Sequence, residues 1–151
     1  MDMRRLNDDV YIQPIEWPAA NPADGTIPAS YIDVSEFERW AFVQLVGVSD
    51  DTTVTMQMKQ ATAAAGTGSK DVTGALTSAT GAGSGANNKW KILGCEQSHL
   101  DTNNGFRYVA VARVATGGAA TASTIIFLGW RARTMPVTQP ASFAEAVWID
   151  G

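Results

Sequence analysis

The chain has 151 residues but very few of the side chains that carry covalent or metal chemistry: one cysteine, Cys95, and one histidine, His99. A single cysteine excludes an intramolecular disulfide. Zinc sites use several His or Cys ligands, so no zinc site is expected. We predict that Cys95 is a small buried hydrophobic residue. His99 is predicted to be a polar residue beside a turn.

Charge is also scarce. Charged residues make up 17% of the chain and the net charge is −4, whereas soluble domains average about 25% charged residues. The nearest approaches to a basic cluster are Arg4 with Arg5 and Arg131 with Arg133. Because binding to nucleic acid depends on clustered cations that neutralise phosphates, no nucleic-acid partner is expected.

Long apolar runs are absent as well. No segment approaches the roughly 18–20 apolar residues of a membrane span, and polar residues follow the first five where a secretory signal would be apolar. We therefore expect a protein made in the cytoplasm, with no membrane partner. No phosphate-binding loop or catalytic constellation is recognisable, so we expect no cofactor, no small-molecule substrate and no enzymatic activity. Calcium binding at Asp8-Asp9 or Asp50-Asp51 stays open.

What the chain does contain is two segments that are apolar on both faces of a would-be strand, Phe37–Val46 and Ile125–Trp130. In a small sandwich one face of each strand is normally solvated, and its sequence alternates. The second face of these segments therefore needs a cover, either the terminal arms of the chain or a neighbouring subunit. This pattern favours an assembly protein over a free-standing enzyme.

Residues 30–133 are predicted to form an all-β core, an antiparallel β-sandwich or jelly-roll-like barrel with long Ala/Gly/Thr loops at 61–69 and 77–88. Strict alternation over Thr52–Gln60 predicts a half-buried strand with Met56 and Met58 inside. Asn104-Gly105 predicts a hairpin turn. A helix that begins at Ser35 is the alternative to the first long strand. Further strands are predicted at Lys70–Leu76, Asn88–Cys95, Phe106–Val114 and Ser123–Arg133.

Two extended arms are predicted to flank this core, at residues 1–29 and 134–151. Pro14, Pro18, Pro22 and Pro28 exclude a regular helix or a central strand from the first arm. Both arms are nevertheless richer in large apolar residues than a disordered tail would be. We therefore predict that the arms dock on an apolar surface. The predicted interface residues are Tyr11, Ile12, Ile15, Trp17, Ile27, Phe143, Val147 and Trp148.

The chain has five tryptophans. Trp40, Trp90 and Trp130 lie in predicted strands and are assigned to the core. Trp17 and Trp148 lie in the arms, where an aromatic side chain is an effective interface anchor. Exposed indoles also stack on sugars, so a carbohydrate-binding module that uses Trp17 or Trp148 is an alternative of a different class.

The stretch from Tyr31 to Arg133 resembles a family of small virion proteins that tailed bacteriophages and prophages encode with their head-assembly genes. Three groups of residues carry the resemblance: Ile32-Asp33-Val34; Met58–Thr62 continuing into Ala65–Val72; and Leu100-Asp101 with Asn104–Val109. These are turns and strand edges, so the resemblance transfers no active site.

The resemblance implies a capsid decoration or cement protein, located in the virion on the outside of the phage head. Its implied partners are the major capsid protein and further copies of itself, with a trimer favoured. A neck or tail-completion component, or the base of a head fibre, is the alternative within the same class.

Overall fold

A computed structural model describes residues 6–19, 25–49, 53–77, 88–116 and 121–144. One helical turn, α1 (Leu6–Asp9), precedes the first strand, and no described helix is long and apolar enough to cross a membrane. The strands of the described chain are β1 (Val10–Ala19), β2 (Gly25–Asp33), β3 (Phe37–Ser49), β4 (Thr53–Ala61), β5 (Lys70–Leu76), β6 (Lys89–Glu96), β7 (Tyr108–Thr116) and β8 (Thr121–Ala132).

The strands form two antiparallel four-stranded sheets. Sheet A has the order β1-β8-β3-β6 and sheet B the order β2-β7-β4-β5. Apart from the β4–β5 hairpin, each connection takes the chain from one sheet to the other, which is the topology of a jelly roll. The predicted all-β antiparallel sandwich is confirmed.

The core lies between the two sheets. Sheet A contributes Trp40, Phe42 and Phe127, and sheet B contributes Met56 and Met58, all fully buried. The two methionines confirm the alternation predicted for β4. Because inward side chains repeat every second residue along a strand, this burial also fixes which face of each strand points to solvent.

Ser35 does not begin a helix. The amide of Ser35 donates to the Asp33 carboxylate over 2.9 Å, and the amide of Phe37 donates to the carbonyl of Val34 over 3.0 Å. Short side-chain-to-backbone bonds of this kind stabilise turns at the expense of helix. The chain therefore turns at Ser35-Glu36 and passes from sheet B into sheet A.

The hairpin predicted at Asn104-Gly105 is wrong. Gly105 does adopt a left-handed turn conformation, with φ of 79°. However, β6 belongs to sheet A and β7 to sheet B, so the two strands are not paired with each other. Residues 97–107 instead cross from one sheet to the other through two 3-10 turns, Gln97–His99 and Thr102–Asn104.

Asp101 holds this crossover to sheet B. Its carboxylate accepts hydrogen bonds from Lys70 and Asn104, and these bonds lower its pKa. A carboxyl whose pKa is lower when folded contributes stability above its unfolded pKa, and that stability is lost as the pH falls through the folded value.

We therefore expect Asp101→Asn to flatten the acid side of the stability profile. Between pH 5 and 2, melting temperatures from circular dichroism should fall less steeply for the variant than for the wild type. Asp71→Asn, at an exposed carboxyl also paired with a lysine, is the comparison. Identical slopes for Asp101→Asn and wild type would contradict the role of the Asp101 carboxylate in stability at acid pH.

The arm predicted over residues 1–29 is corrected by the structure. Residues 10–19 pair with β8 and residues 25–33 pair with β7, and the predicted boundary at residue 29 falls inside β2. Both segments are edge strands, the position in a sheet that tolerates proline because one side of the strand needs no ladder donor. The pairing of β1 shifts register just after Pro14.

The segment after β8 runs beside the free edge of β1. The amide of Val137 donates to the carbonyl of Asp8 over 2.8 Å. The Gln139 side chain accepts from the amide of Ile12 over 3.0 Å and donates to the carbonyl of Val10 over 2.6 Å. One glutamine side chain thus occupies two backbone positions that a further strand would otherwise use.

Candidate functional site

The outward face of sheet A is apolar across all four strands. Val43 on β3 stands between Ile92 on β6 and Ile126 on β8, and Leu45 stands beside Trp90. On the other side of β8, Ile12 pairs with Leu128. The apolar face, as we use the term, consists of Ile12, Pro14, Ala41, Val43, Leu45, Trp90, Ile92, Ile126, Leu128 and Trp130.

Much of the apolar face is open to solvent. Trp90 is 65% exposed, Ile92 55% and Leu45 44%. Val43 and Leu128 are half-buried by their neighbours in the sheet. The described segment after β8 lies at the β1 edge and does not cover β3 or β6. A continuous patch of large apolar side chains on a soluble domain is a mark of an interaction surface.

Sheet B provides an internal comparison, because the outward face of β4 is polar and the apolar residues beside it, Tyr31, Ala61 and Ala110, are buried in a small cluster of their own. Thr55, Gln57 and Lys59 point outward from β4, and Lys59 pairs with Asp71 of β5. The exposed apolar side chains there, Leu76 and Val114, pair with Gln57 and Thr55 and do not form a patch. Among the described residues, a continuous exposed apolar patch is therefore found on sheet A and not on sheet B.

Charges are confined to one end of the apolar face and are paired. Arg39 of β3 and Glu96 of β6 lie side by side in the sheet, with 3.4 Å between Nη2 and Oε2. A hydrogen bond from Ser98, with Arg39 as a further cause, lowers the pKa of Glu96. Arg131 pairs with Glu38 over 3.0 Å nearby. A partner that covers the apolar face would therefore bury no unpaired charge at its centre.

The eight residues predicted as an interface have different environments. Tyr11 packs its ring on Phe37 and Phe127 at centroid distances of 5.4 and 6.0 Å, and Ile15 also packs on the core of its own subunit. Ile12 lies on the apolar face, and Phe143 is 40% exposed.

Four of the eight lie wholly or partly outside the described residues. Trp17 and Ile27 belong to β1 and β2, but their side chains lie outside the described part of the chain, as do Val147 and Trp148 altogether. The role of these eight residues at an interface stays a prediction.

The three tryptophans that were assigned to the core differ in burial. Trp40 is fully buried, as predicted, whereas Trp90 is the most exposed large hydrophobic residue of the described chain and Trp130 is half-buried on the outward face. The core assignment of Trp90 is wrong because its side chain points to the outward face of sheet A, beside Leu45, whereas Leu93 on the same strand is buried. The signal that could have found it was present, since Trp90 and Ile92 alternate on one face of the predicted strand.

A buried polar cluster, which the sequence did not reveal, joins the two sheets. The Arg113 guanidinium of β7 is fully buried, with Nε 3.7 Å from Oε1 of Glu16 on β1. Ser123 donates to Oε2 of Glu16 over 2.9 Å. Burial raises the pKa of Glu16, and the contacts with Ser123 and Arg113 oppose that rise. Gln44 of β3 is also fully buried.

The residues with potential for covalent chemistry show no catalytic arrangement in the described chain. Cys95 is half-buried, and burial raises the pKa of its thiol, which opposes formation of the reactive thiolate. His99 is exposed on a 3-10 turn. Among the described residues, no group of three or more His, Cys, Asp or Glu could hold a metal ion. The apolar face is the strongest candidate site.

No family model matches the chain, and no curated protein sequence does. One similar solved structure comes from work describing Bacillus endospore appendages as disulfide-linked pili; it is 13% identical, with a TM-score of 0.40, over 82% of this chain and 91% of that one. A chain of the infectious bursal disease virus Gx strain is 10% identical, with a TM-score of 0.40, over 84% of this chain and 33% of that one. The xylan-binding module CBM15 is 14% identical, with a TM-score of 0.35, over 87% and 96%. Likenesses this weak say nothing about function.

Proposed function

We propose that this protein is a structural component of a virion, a capsid decoration or cement protein that binds the outside of a phage head. The observation that carries the proposal is the open apolar face of sheet A, which has no counterpart among the described residues of sheet B. Such a molecule is built to be covered by a neighbour. The resemblance of residues 31–133 to small phage virion proteins suggests the particle, with the major capsid protein as partner.

The energetics suit a protein present in many copies. Each large apolar side chain removed from water contributes about 1.5–3 kcal/mol. Association of two proteins costs several kcal/mol of lost translational and rotational freedom, so a small patch gives only modest affinity. On a shell, contacts between neighbouring decoration proteins add to contacts with the capsid, and the combined avidity exceeds either one.

The test is the number of copies per particle, from quantitative gel densitometry of purified virions against the major capsid protein. A decoration protein should be present in hundreds of copies. A dozen or fewer would place it in the neck, in the tail or at the base of a head fibre, and its absence from virions would overturn the proposal. Deleting residues 1–29 is not a suitable test, because the deletion would remove β1.

Carbohydrate binding is a second candidate function, favoured by Trp90. Trp90 is 65% exposed on the outward face of sheet A beside Leu45, and a sugar ring can stack on an indole exposed in this way. Binding on a glycan array that Trp90→Ala removes, and that Leu76→Ala on the opposite sheet leaves intact, would support this function. An array without signal would remove it.

A further inference from the structure

We propose that the apolar face of sheet A is an interface between two copies of this chain, packed face to face about a two-fold axis. This pairing deepens the proposed structural role and rests on it, because it names a partner for the open face. A second copy fits the face in shape, area and charge. The two edges of the sheet disfavour the alternative, in which two sheets join by adding strand to strand.

The shape of the face selects a flat apolar partner. It spans four rows across four strands, with Leu45 and Trp90 in one outer row and Trp130 in the other, where Arg39 borders the face. Two sheets stack about 10 Å apart when both present an apolar face with interdigitating side chains. The described part of this molecule offers one such surface, so a second copy brings the matching one.

The area of the face suits a dimer of modest affinity. Strands about 4.8 Å apart and rows about 6.8 Å apart give a footprint of roughly 500 Å² per copy, or about 1,000 Å² for the pair. That is close to the lower limit for a specific interface. We therefore expect a dimer that dissociates in the micromolar range.

The composition of the face favours a copy of the same chain over an unrelated partner. Interfaces of homodimers are more apolar than those of transient complexes, and the centre of an interface is poor in charge. None of the ten residues of the apolar face is charged, and the nearest ion pair, Arg39 with Glu96, is satisfied within one subunit. Electrostatic complementarity, the usual means of selecting a different partner, is therefore lacking at its centre.

The edges of sheet A discourage strand addition, the alternative way for two sheets to join. On β1, the Gln139 side chain occupies the amide of Ile12 and the carbonyl of Val10. On β6, the opposite edge, Lys89 and Lys91 alternate with Trp90 and Ile92, so this edge strand carries two lysines on the side away from the apolar face. Lysine on an edge strand is a common protection against pairing with another chain.

Two-fold symmetry follows from the use of one patch by both subunits. A face that packs on its own copy makes an isologous contact, which closes at two subunits. The trimer that the phage resemblance favours needs two different patches on each subunit. We therefore expect even-numbered assemblies through this face, whatever further contacts form on a particle.

Sedimentation velocity on the full chain tests the pairing, over about 1–200 μM because an interface of this size is weak. The wild type should shift from monomer to dimer. Ile92→Glu should raise the dissociation constant about 100-fold or more, since the symmetry places two carboxylates in one apolar interface. Leu76→Glu is the matched control, because Leu76 is 58% exposed against 55% for Ile92 and lies on the opposite sheet. Circular dichroism checks that both variants fold.

A wild type that stays monomeric, a trimer, or a dimer that both variants retain would each overturn the pairing, as would loss of the dimer in Leu76→Glu. Particle binding is measured separately. A monomeric wild type that still decorates particles would refute the pairing and leave the decoration role intact. A dimeric protein that is absent from virions would support the pairing and refute the decoration role.

Discussion

Arg113→Met is expected to destabilise the fold by about 3–5 kcal/mol at pH 7, because it removes the cation beside a buried carboxylate. The Arg113 side chain is 0% exposed and that of Glu16 is 9% exposed, so water cannot take over the lost interaction. Methionine fills most of the volume of the arginine stem, which separates the charge effect from the effect of a cavity. Chemical denaturation monitored by tryptophan fluorescence gives the free energy of unfolding.

The pH dependence of this loss distinguishes a charge effect from a packing effect. Without Arg113, the pKa of Glu16 should rise further, and the group then favours the folded state only when protonated. The cost of Arg113→Met should therefore be smaller at pH 4.5 than at pH 7. The double variant with Glu16→Gln should recover part of the lost stability at pH 7. An equal cost at both pH values, with no recovery in the double variant, would contradict the ion-pair assignment.

Phe127→Ala is expected to cost about 3–5 kcal/mol, the usual range for deleting a buried aromatic ring. Phe127 is fully buried, and its ring lies 5.4 Å from that of Phe42, 6.0 Å from that of Tyr11 and 6.2 Å from that of Phe37. The cavity would open at the centre of this cluster. The free energy of unfolding is again the measurement.

The control for Phe127 is its neighbour in sequence. Leu128 points to the opposite side of β8 and is half-buried on the apolar face. Below the dimer dissociation constant, Leu128→Ala should cost about 1 kcal/mol or less, since surface substitutions have small effects. If the two substitutions cost the same in the monomer, the outward face of sheet A must be covered within one subunit.

Local patterns in the sequence were sufficient to predict the fold class and much of the apolar face. Alternation along β4 placed Met56 and Met58 correctly. The doubly apolar segments correctly marked β3 and β8 as strands that carry apolar side chains on their outer face. Both signals come from the two-residue period of a strand, which needs no knowledge of the tertiary structure.

The position of each strand within its sheet could not be predicted in the same way. Pro14 and Pro28 suggested an arm because proline is excluded from central strands, yet β1 and β2 are edge strands, where it is tolerated. Trp90 was assigned to the core because the sequence does not record which face of β6 points to the core. The contact of Glu16 with Arg113 joins two distant segments of the chain, and no local pattern records such a contact.

The strand order of sheet A also constrains when this protein can fold during its synthesis. β8 lies between β1 and β3, so the sheet cannot close until residues 121–132 have left the ribosome. Pairings between distant segments fold slowly, in milliseconds to seconds. Until then β3 lacks its neighbour β8, and a nascent chain halted before β8 should be a chaperone client or aggregate. Ribosome-bound chains that end before and after β8 should accordingly differ sharply in protease resistance.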